Sequence, residues 1–279
     1  MIAPCQNFVS PAWLMDHLAD PRLVVVDCRF ALAQPHQGQQ QYRQGHIPGA
    51  VYFDLDRDLS GPVQPHGGRH PLPVWADFMA KLEAAGVVSG NGDQASQIVA
   101  YDDARFAFAA RFWWLLKYLG HDGVAVLDGG FQAWQQAAYP VTAARHQPRT
   151  GRFYPSPRAD WVATIEDVRR QQDRGLGVLI DSRAPERFRG EVEPIDPVAG
   201  SIPGAVNYFW QGVTHGDGTM RSQADLAQHW SALSDAEDVI VYCGSGVTAC
   251  VNLLSQTLAN RPMGKLYVGG WSDWCSYGI

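Results

Sequence analysis

The chain has 279 residues, 46% of them apolar and 18% charged, with a formal net charge of −6. That composition belongs to a globular protein with room for one large or two ordinary cored domains. The acidic balance, without any Lys/Arg-rich run, argues against a nucleic-acid partner, and no apolar run approaches the roughly 18 residues that span a bilayer, which argues against a membrane partner.

The opening stretch MIAPCQNFVSPAWL lacks a basic region followed by a long apolar core, so no signal peptide is read and a cytoplasmic location is expected. The five cysteines, Cys5, Cys28, Cys243, Cys250 and Cys275, are odd in number and widely spread. They suit free thiols in a reducing compartment better than a disulfide framework. No Cys-x-x-Cys pair or His/Cys cluster has zinc spacing, and neither a metal nor another cofactor is expected.

Taken in chain order, the elements come twice. Ser10 caps an amphipathic stretch from Pro11 to Ala19. The apolar run from Leu23 to Arg29 (LVVVDCR) reads as a buried strand. The turn sequence GHIPGAVYFD follows from Gly45, then the strand QIVAYDD ending at Asp103, a helix from Ala107 to Leu119, and LDGGFQAW ending at Trp134. After a Pro/Arg-rich stretch from Tyr139 to Asp160 the series restarts. A helix from Thr164 to Arg174, with Thr164 as its N-cap, precedes the strand VLIDSR from Val178 to Arg183. GSIPGAVNYF follows from Gly200, then VIVYCG ending at Gly244, a helix from Val247 to Leu258, and YVGGWSDW ending at Trp274.

Four echoes in one order, at offsets of about 140 to 155 residues, mark two copies of one domain. Residues 1–140 are read as the first domain, 141–160 as a linker and 161–279 as the second domain. Alternation of strand, loop and helix implies an α/β fold, with a mostly parallel sheet flanked by helices in each copy.

Duplication also supplies an internal control. Asp27/Arg29 and Asp181/Arg183 occur in both copies and read as structural ion pairs or turns. The Ile-Pro-Gly turns are needed for backbone reasons, and each Gly-Gly pair reads as a turn with a ring packed behind it. One position breaks the pattern: Cys243 in the second copy faces Asp102 in the first, so the first copy is expected to be catalytically inactive.

Cys243 leaves an apolar strand and enters the loop Gly244-Ser245-Gly246-Val247-Thr248 before a helix. Backbone N–H groups at such a helix entry favour an anion by roughly 0.3–1 kcal/mol, which here favours the ionised sulfur. The glycines let the backbone close around it, and Ser245 and Thr248 offer hydroxyl donors. The loop has no charged side chain, so its amides are expected to suffice. The alternative is an inert buried cysteine beside a Gly-rich turn. Cys28, Cys250 and Cys275 lack this setting and read as structural; Cys5 has no evident role. A cysteine phosphatase needs an arginine six residues after its cysteine, and Ala249 stands there.

These residues carry a resemblance over nearly the whole chain. Both copies resemble rhodanese domains, and CGSGVT at 243–248 resembles the loop of tandem-domain sulfurtransferases of the 3-mercaptopyruvate type. Thiosulfate-preferring members typically carry Arg and Lys in place of the Gly and Ser after the cysteine. The resemblance implies that Arg187, in ERFRGEVEP, holds the donor with Gly244, Gly246, Val247 and Thr248; a solvated surface arginine is the alternative, the role given to Arg189. It implies a proton relay of Ser245, His70 (in GGRHPLP) and Asp56 (in YFDLDRDLS), although Asp56 also suits turn capping.

Two departures from the family pattern stand out. A second substrate arginine usually follows the Glu-Pro pair, but Glu193-Pro194 is followed here by Ile195-Asp196, with Arg69 as a substitute. Ser201 stands where His46 begins the Ile-Pro-Gly motif of the first copy.

The implied reaction moves sulfane sulfur from 3-mercaptopyruvate, through a Cys243 persulfide, to cyanide, a small thiol or a protein thiol such as thioredoxin. Thiosulfate:cyanide sulfurtransferase activity is the near alternative. A sulfur carrier or interaction module without turnover is the distant one.

Overall fold

The computed structural model describes residues 7–90, 94–175, 177–233 and 238–278. Cys5 lies outside the described residues. No helix among them is long and apolar enough to cross a membrane. The chain forms two compact units, one of Met1–Gly61, Pro73–Arg158 and Gly216–Met220, the other of Pro62–Leu72, Ala159–His215 and Arg221–Ile279.

The first unit runs β1 (Phe8–Val9), α1 (Pro11–His17), β2 (Leu23–Asp27), α2 (Gln37–Gln44), β3 (Val51–Tyr52), α3 (Trp75–Ala84), β4 (Gln97–Tyr101), α4 (Ala109–Tyr118), β5 (Val124–Leu127) and α5 (Gly130–Gln136). Its sheet has the order β1-β5-β4-β2-β3, and every neighbouring pair is parallel. All residues of β4 are buried, as expected of a parallel strand covered on both faces. Leu14, Val25, Val99, Leu127, Phe131 and Trp134 pack into one core.

The second unit repeats the plan with β6 (Val162–Ala163), α6 (Ile165–Arg174), β7 (Val178–Asp181), α7 (Pro185–Phe188), β8 (Val206–Asn207), α8 (Gln223–His229), β9 (Val239–Tyr242), α9 (Ala249–Leu258), β10 (Lys265–Tyr267) and α10 (Gly270–Ser276). The sheet order β6-β10-β9-β7-β8 is the same topology, again all parallel. Its core gathers Val168, Leu179, Ile240, Tyr267, Trp271 and Trp274.

Local chemistry explains the element starts. Ser10 accepts the Trp13 N–H at 3.1 Å, with Pro11 opening α1. Thr164 and Asp167 form a reciprocal capping box on α6. Helices α4 and α9 begin at Ala109 and Ala249, two residues later than their apolar periodicity suggests. Phe106 (φ 72°) and Gly246 (φ 69°) hold the preceding loops outside helical geometry.

The duplicated Asp–Arg pairs are architecture. Arg29 Nη2 donates to Asp27 at 2.6 Å and to the Gly45 carbonyl at 2.7 Å. Arg183 Nη2 does the same with Asp181 and the Gly200 carbonyl, both at 2.6 Å. Each pair thus ties its strand end to the glycine that opens the Ile-Pro-Gly turn.

The Pro/Arg-rich stretch is fastened to the first unit. Thr142 bridges His46 and Arg152 bridges Val88, Phe153 is buried, and Arg158 donates to both Asp122 carboxylate oxygens at 2.9 and 2.8 Å. Two short segments change sides relative to the sequence boundaries: 62–72 belongs to the second unit, and 216–220 to the first.

Candidate active site

Cys243 follows β9 directly, and its carbonyl accepts the Trp271 N–H at 2.8 Å. The Gly244 carbonyl accepts the Ser272 N–H at 2.9 Å. In a trans peptide the N–H points opposite to the carbonyl, so the amides of Gly244 and Ser245 are turned away from α10. Gly270 (φ 59°) makes this seam possible, because a Cβ there would strike the Cys243 carbonyl. Gly246 is fixed the same way, its missing Cβ facing the Val268 carbonyl. Cys243 is buried at 2% exposure, with Ser245 at 6% and His70 at 7%.

His70 arrives on the 62–72 segment, within the same compact unit as Cys243. Its Nδ1 lies 2.7 Å from Ser245 Oγ. Three contacts hold the segment to α10 and the turn before it. The Gly67 N–H donates to Asp273 Oδ1 at 2.6 Å, His66 Nδ1 lies 2.7 Å from Ser276 Oγ, and Gly68 rests against the Gly269 carbonyl. Asp273 also accepts from the Tyr267 hydroxyl at 2.6 Å.

Two guanidinium groups crowd the residue after the thiol. A Cβ on Gly244 would stand 3.0 Å from Arg69 Nη2 and 3.7 Å from Arg187 Nη2. This revises the expectation that main-chain amides alone serve the loop: cations reach it from outside, from α7 and from the 62–72 segment. Arg187 donates to Glu193 at 2.6 and 3.2 Å and to Asp196 Oδ2 at 3.2 Å. Arg69 Nη1 pairs with Asp196 Oδ1. Burial pushes the Glu193 carboxyl up, but Arg187 and the amides of Asp196 and Ile195 outweigh it and leave it below its ordinary value. For Asp196 burial wins over Arg69 and Arg187, and its carboxyl lies above the ordinary value.

The first unit shows what the same turn does with a carboxyl side chain, whose pKa burial raises above the ordinary value against the pull of the backbone amides. The Asp102 carbonyl accepts the Phe131 N–H at 2.8 Å, matching Cys243 and Trp271. Its carboxylate accepts four backbone N–H groups, Ala104 at 2.8 Å and Phe106 at 3.0 Å on Oδ1, Phe108 and Ala109 at 2.9 Å on Oδ2. The strand–loop–helix turn is therefore a working anion cradle where a carboxylate fills it.

The remaining expected site residues are placed as follows. Val247 is buried and Thr248 half-buried in the loop. Asp56 lies in the first unit, exposed, in a turn where its own amide donates to Asp54 Oδ1 at 3.1 Å. Burial, then Asp54, pushes its carboxyl up. Arg189 is exposed and paired with Glu191 at 2.7 Å. Cys28, Cys250 and Cys275 are buried free thiols. Burial raises Cys28 well above its ordinary value and Cys275 to about 11. Asp196 and Asp273 are not among the expected site residues; Asp196 stands in an irregular stretch with no periodic signal, and Asp273 lies in the first turn of α10, where an acidic residue reads as ordinary helix chemistry.

Comparison with known proteins bears on this geometry. The rhodanese-like domain model matches the chain twice, over residues 10–137 and 164–277. The chain is 46% identical over 266 residues to a Pseudomonas aeruginosa protein named "Probable 3-mercaptopyruvate sulfurtransferase", covering 94% of this chain and 92% of that one. It is 33% identical over 276 residues to the 3-mercaptopyruvate sulfurtransferase of Escherichia coli K12, covering 96% and 94%. The structure of 3-mercaptopyruvate sulfurtransferase from Leishmania major superposes with a TM-score of 0.85 at 30% identity, over 99% of this chain and 75% of that one.

Proposed function

The chain belongs to the rhodanese family, and from that premise we propose that it is a sulfurtransferase taking sulfane sulfur from 3-mercaptopyruvate through a Cys243 persulfide. One observation carries the reading most directly. Where the first unit cradles the Asp102 carboxylate with four amides, the second places a cysteine in the corresponding turn. The first domain is then the non-reacting copy and the second the reacting one.

In the first half-reaction the Cys243 thiolate attacks the donor's sulfur, whose bond to carbon breaks. The electron pair leaves with the carbon as the enolate of pyruvate, which takes up a proton. The donor's own thiol proton passes through Ser245 and His70, which already share a hydrogen bond. Asp56 joins this relay on the family resemblance alone. Arg187 holds the donor's carboxylate, and the backbone around Gly244, Gly246, Val247 and Thr248 surrounds the persulfide. In the second half-reaction cyanide or a thiol, thioredoxin among them, takes the outer sulfur and restores Cys243. No metal or organic cofactor takes part, and the reaction belongs in the cytoplasm.

The test uses the purified wild-type chain. With 3-mercaptopyruvate and no acceptor, pyruvate should appear in a single stoichiometric burst while the intact mass gains one sulfur. Cys243→Ser should remain folded and give neither signal. A higher kcat/KM with thiosulfate would reverse the order of donors, and persulfide without turnover would mark a carrier.

A further inference from the structure

Within the second unit, three arginines and three carboxylates form one connected cluster beside Cys243. Arg183 pairs with Asp181 and Glu193, Arg187 with Glu193 and Asp196, and Arg69 with Asp196. Arg183 is spent on architecture, since its fork also holds the Gly200 carbonyl. The two groups that reach Gly244 are Arg69 and Arg187. Asp196 lies between them, one oxygen on each, with its side chain only 2% exposed.

Arg69 and Arg187 bring two positive charges to the Cys243 loop; Glu193 and Asp196 bring two negative ones. The side-chain charge of the donor site, the sulfur aside, is formally zero before any donor arrives. A monocarboxylate adds one negative charge to it, whereas thiosulfate adds two. In a half-buried site each uncompensated charge is costly. The carboxylate that binds Arg69 therefore also cancels the charge a dianion would need.

Resting on the proposed sulfurtransferase function, we propose that Arg69 is a donor-binding residue and that Asp196 sets the donor charge the site accepts. Asp196 holds Arg69 beside the Cys243 loop and removes one unit of positive charge, which favours a monocarboxylate donor over a compact dianion. Arg69 has no other carboxylate partner among the described residues, and its side chain keeps 30% exposure, so an incoming carboxylate can engage its free edge. Specificity is then set outside the cysteine loop, by a charge pair joining two distant segments.

The experiment compares kcat/KM for 3-mercaptopyruvate and thiosulfate in the full-length wild type, Asp196→Asn and Arg69→Gln. Asp196→Asn should raise the thiosulfate-to-mercaptopyruvate ratio about tenfold, with the gain shrinking at high salt. Arg69→Gln should raise KM for mercaptopyruvate about tenfold with kcat changed less than about threefold, and Arg69→Lys should recover part of that loss. An unchanged donor ratio in a folded Asp196→Asn, or an unchanged KM in Arg69→Gln, overturns the proposal. Should Asp196→Asn fail to fold, the Arg69 pair decides alone, because that side chain is partly exposed. A wild type that uses neither donor instead overturns the sulfurtransferase reading, a distinct outcome.

Discussion

His70 Nδ1 and Ser245 Oγ lie 2.7 Å apart although 175 residues separate them in the chain. A hydrogen bond made before the donor arrives is a preorganised path for a proton. Ser245→Ala should therefore lower kcat for mercaptopyruvate about 100-fold, with KM nearly unchanged. His70→Asn should cost a similar factor. Steady-state rates of the two variants check both, and an unaltered kcat in His70→Asn would exclude the relay.

Gly246 combines a φ of 69° with direct apposition of the Val268 carbonyl. Gly246→Ala should destabilise the second unit by about 1–3 kcal/mol through strain and overpacking. Because the strain falls inside the Cys243 loop, activity should drop more than the folded fraction. Paired denaturation and rate measurements on one preparation separate the two effects.

Asp102 accepts four backbone N–H groups, three of them buried and that of Ala104 part-buried. Asp102→Ala leaves all four without an acceptor and should cost about 3–5 kcal/mol of stability. Urea midpoints check the loss. A shift below about 1 kcal/mol would mean that the loop re-forms around water.

Glu193 has a carboxyl below its ordinary value, burial being outweighed by Arg187 and backbone amides. A depressed carboxyl stabilises the fold fully above its unfolded value and loses that contribution as pH falls through the lower folded value. Glu193→Gln should therefore be less stable than wild type by about 2 kcal/mol at pH 7. The difference should shrink as pH falls through the depressed folded value, below which both chains carry a neutral side chain. Thermal unfolding followed downward from pH 7 provides the measurement.

Much of this molecule is legible in its residues, and the reasons are physical. The strands from Leu23, Gln97, Val178 and Val239 are near-continuous apolar runs, which a parallel sheet requires. Cys243 is legible because duplication sets Asp102 beside it for comparison. The Arg69–Asp196 pair escapes that logic. It joins irregular segments 127 residues apart, and no periodicity encodes such a contact. Helix starts are blurred for a related reason: Val247 and Thr248 fit a helical spacing, yet the turn at Gly246 keeps them in the loop.

The exchange of 62–72 and 216–220 has a consequence for ancestry and dissection. Each half of the gene encodes a short segment that packs with the other half's globule. Cutting the coding region near residue 159 yields one fragment without the imidazole and guanidinium that border its Cys243 loop. A single recombination event that deleted either half would also carry away a segment that packs with the other, however silent the deleted half's own chemistry.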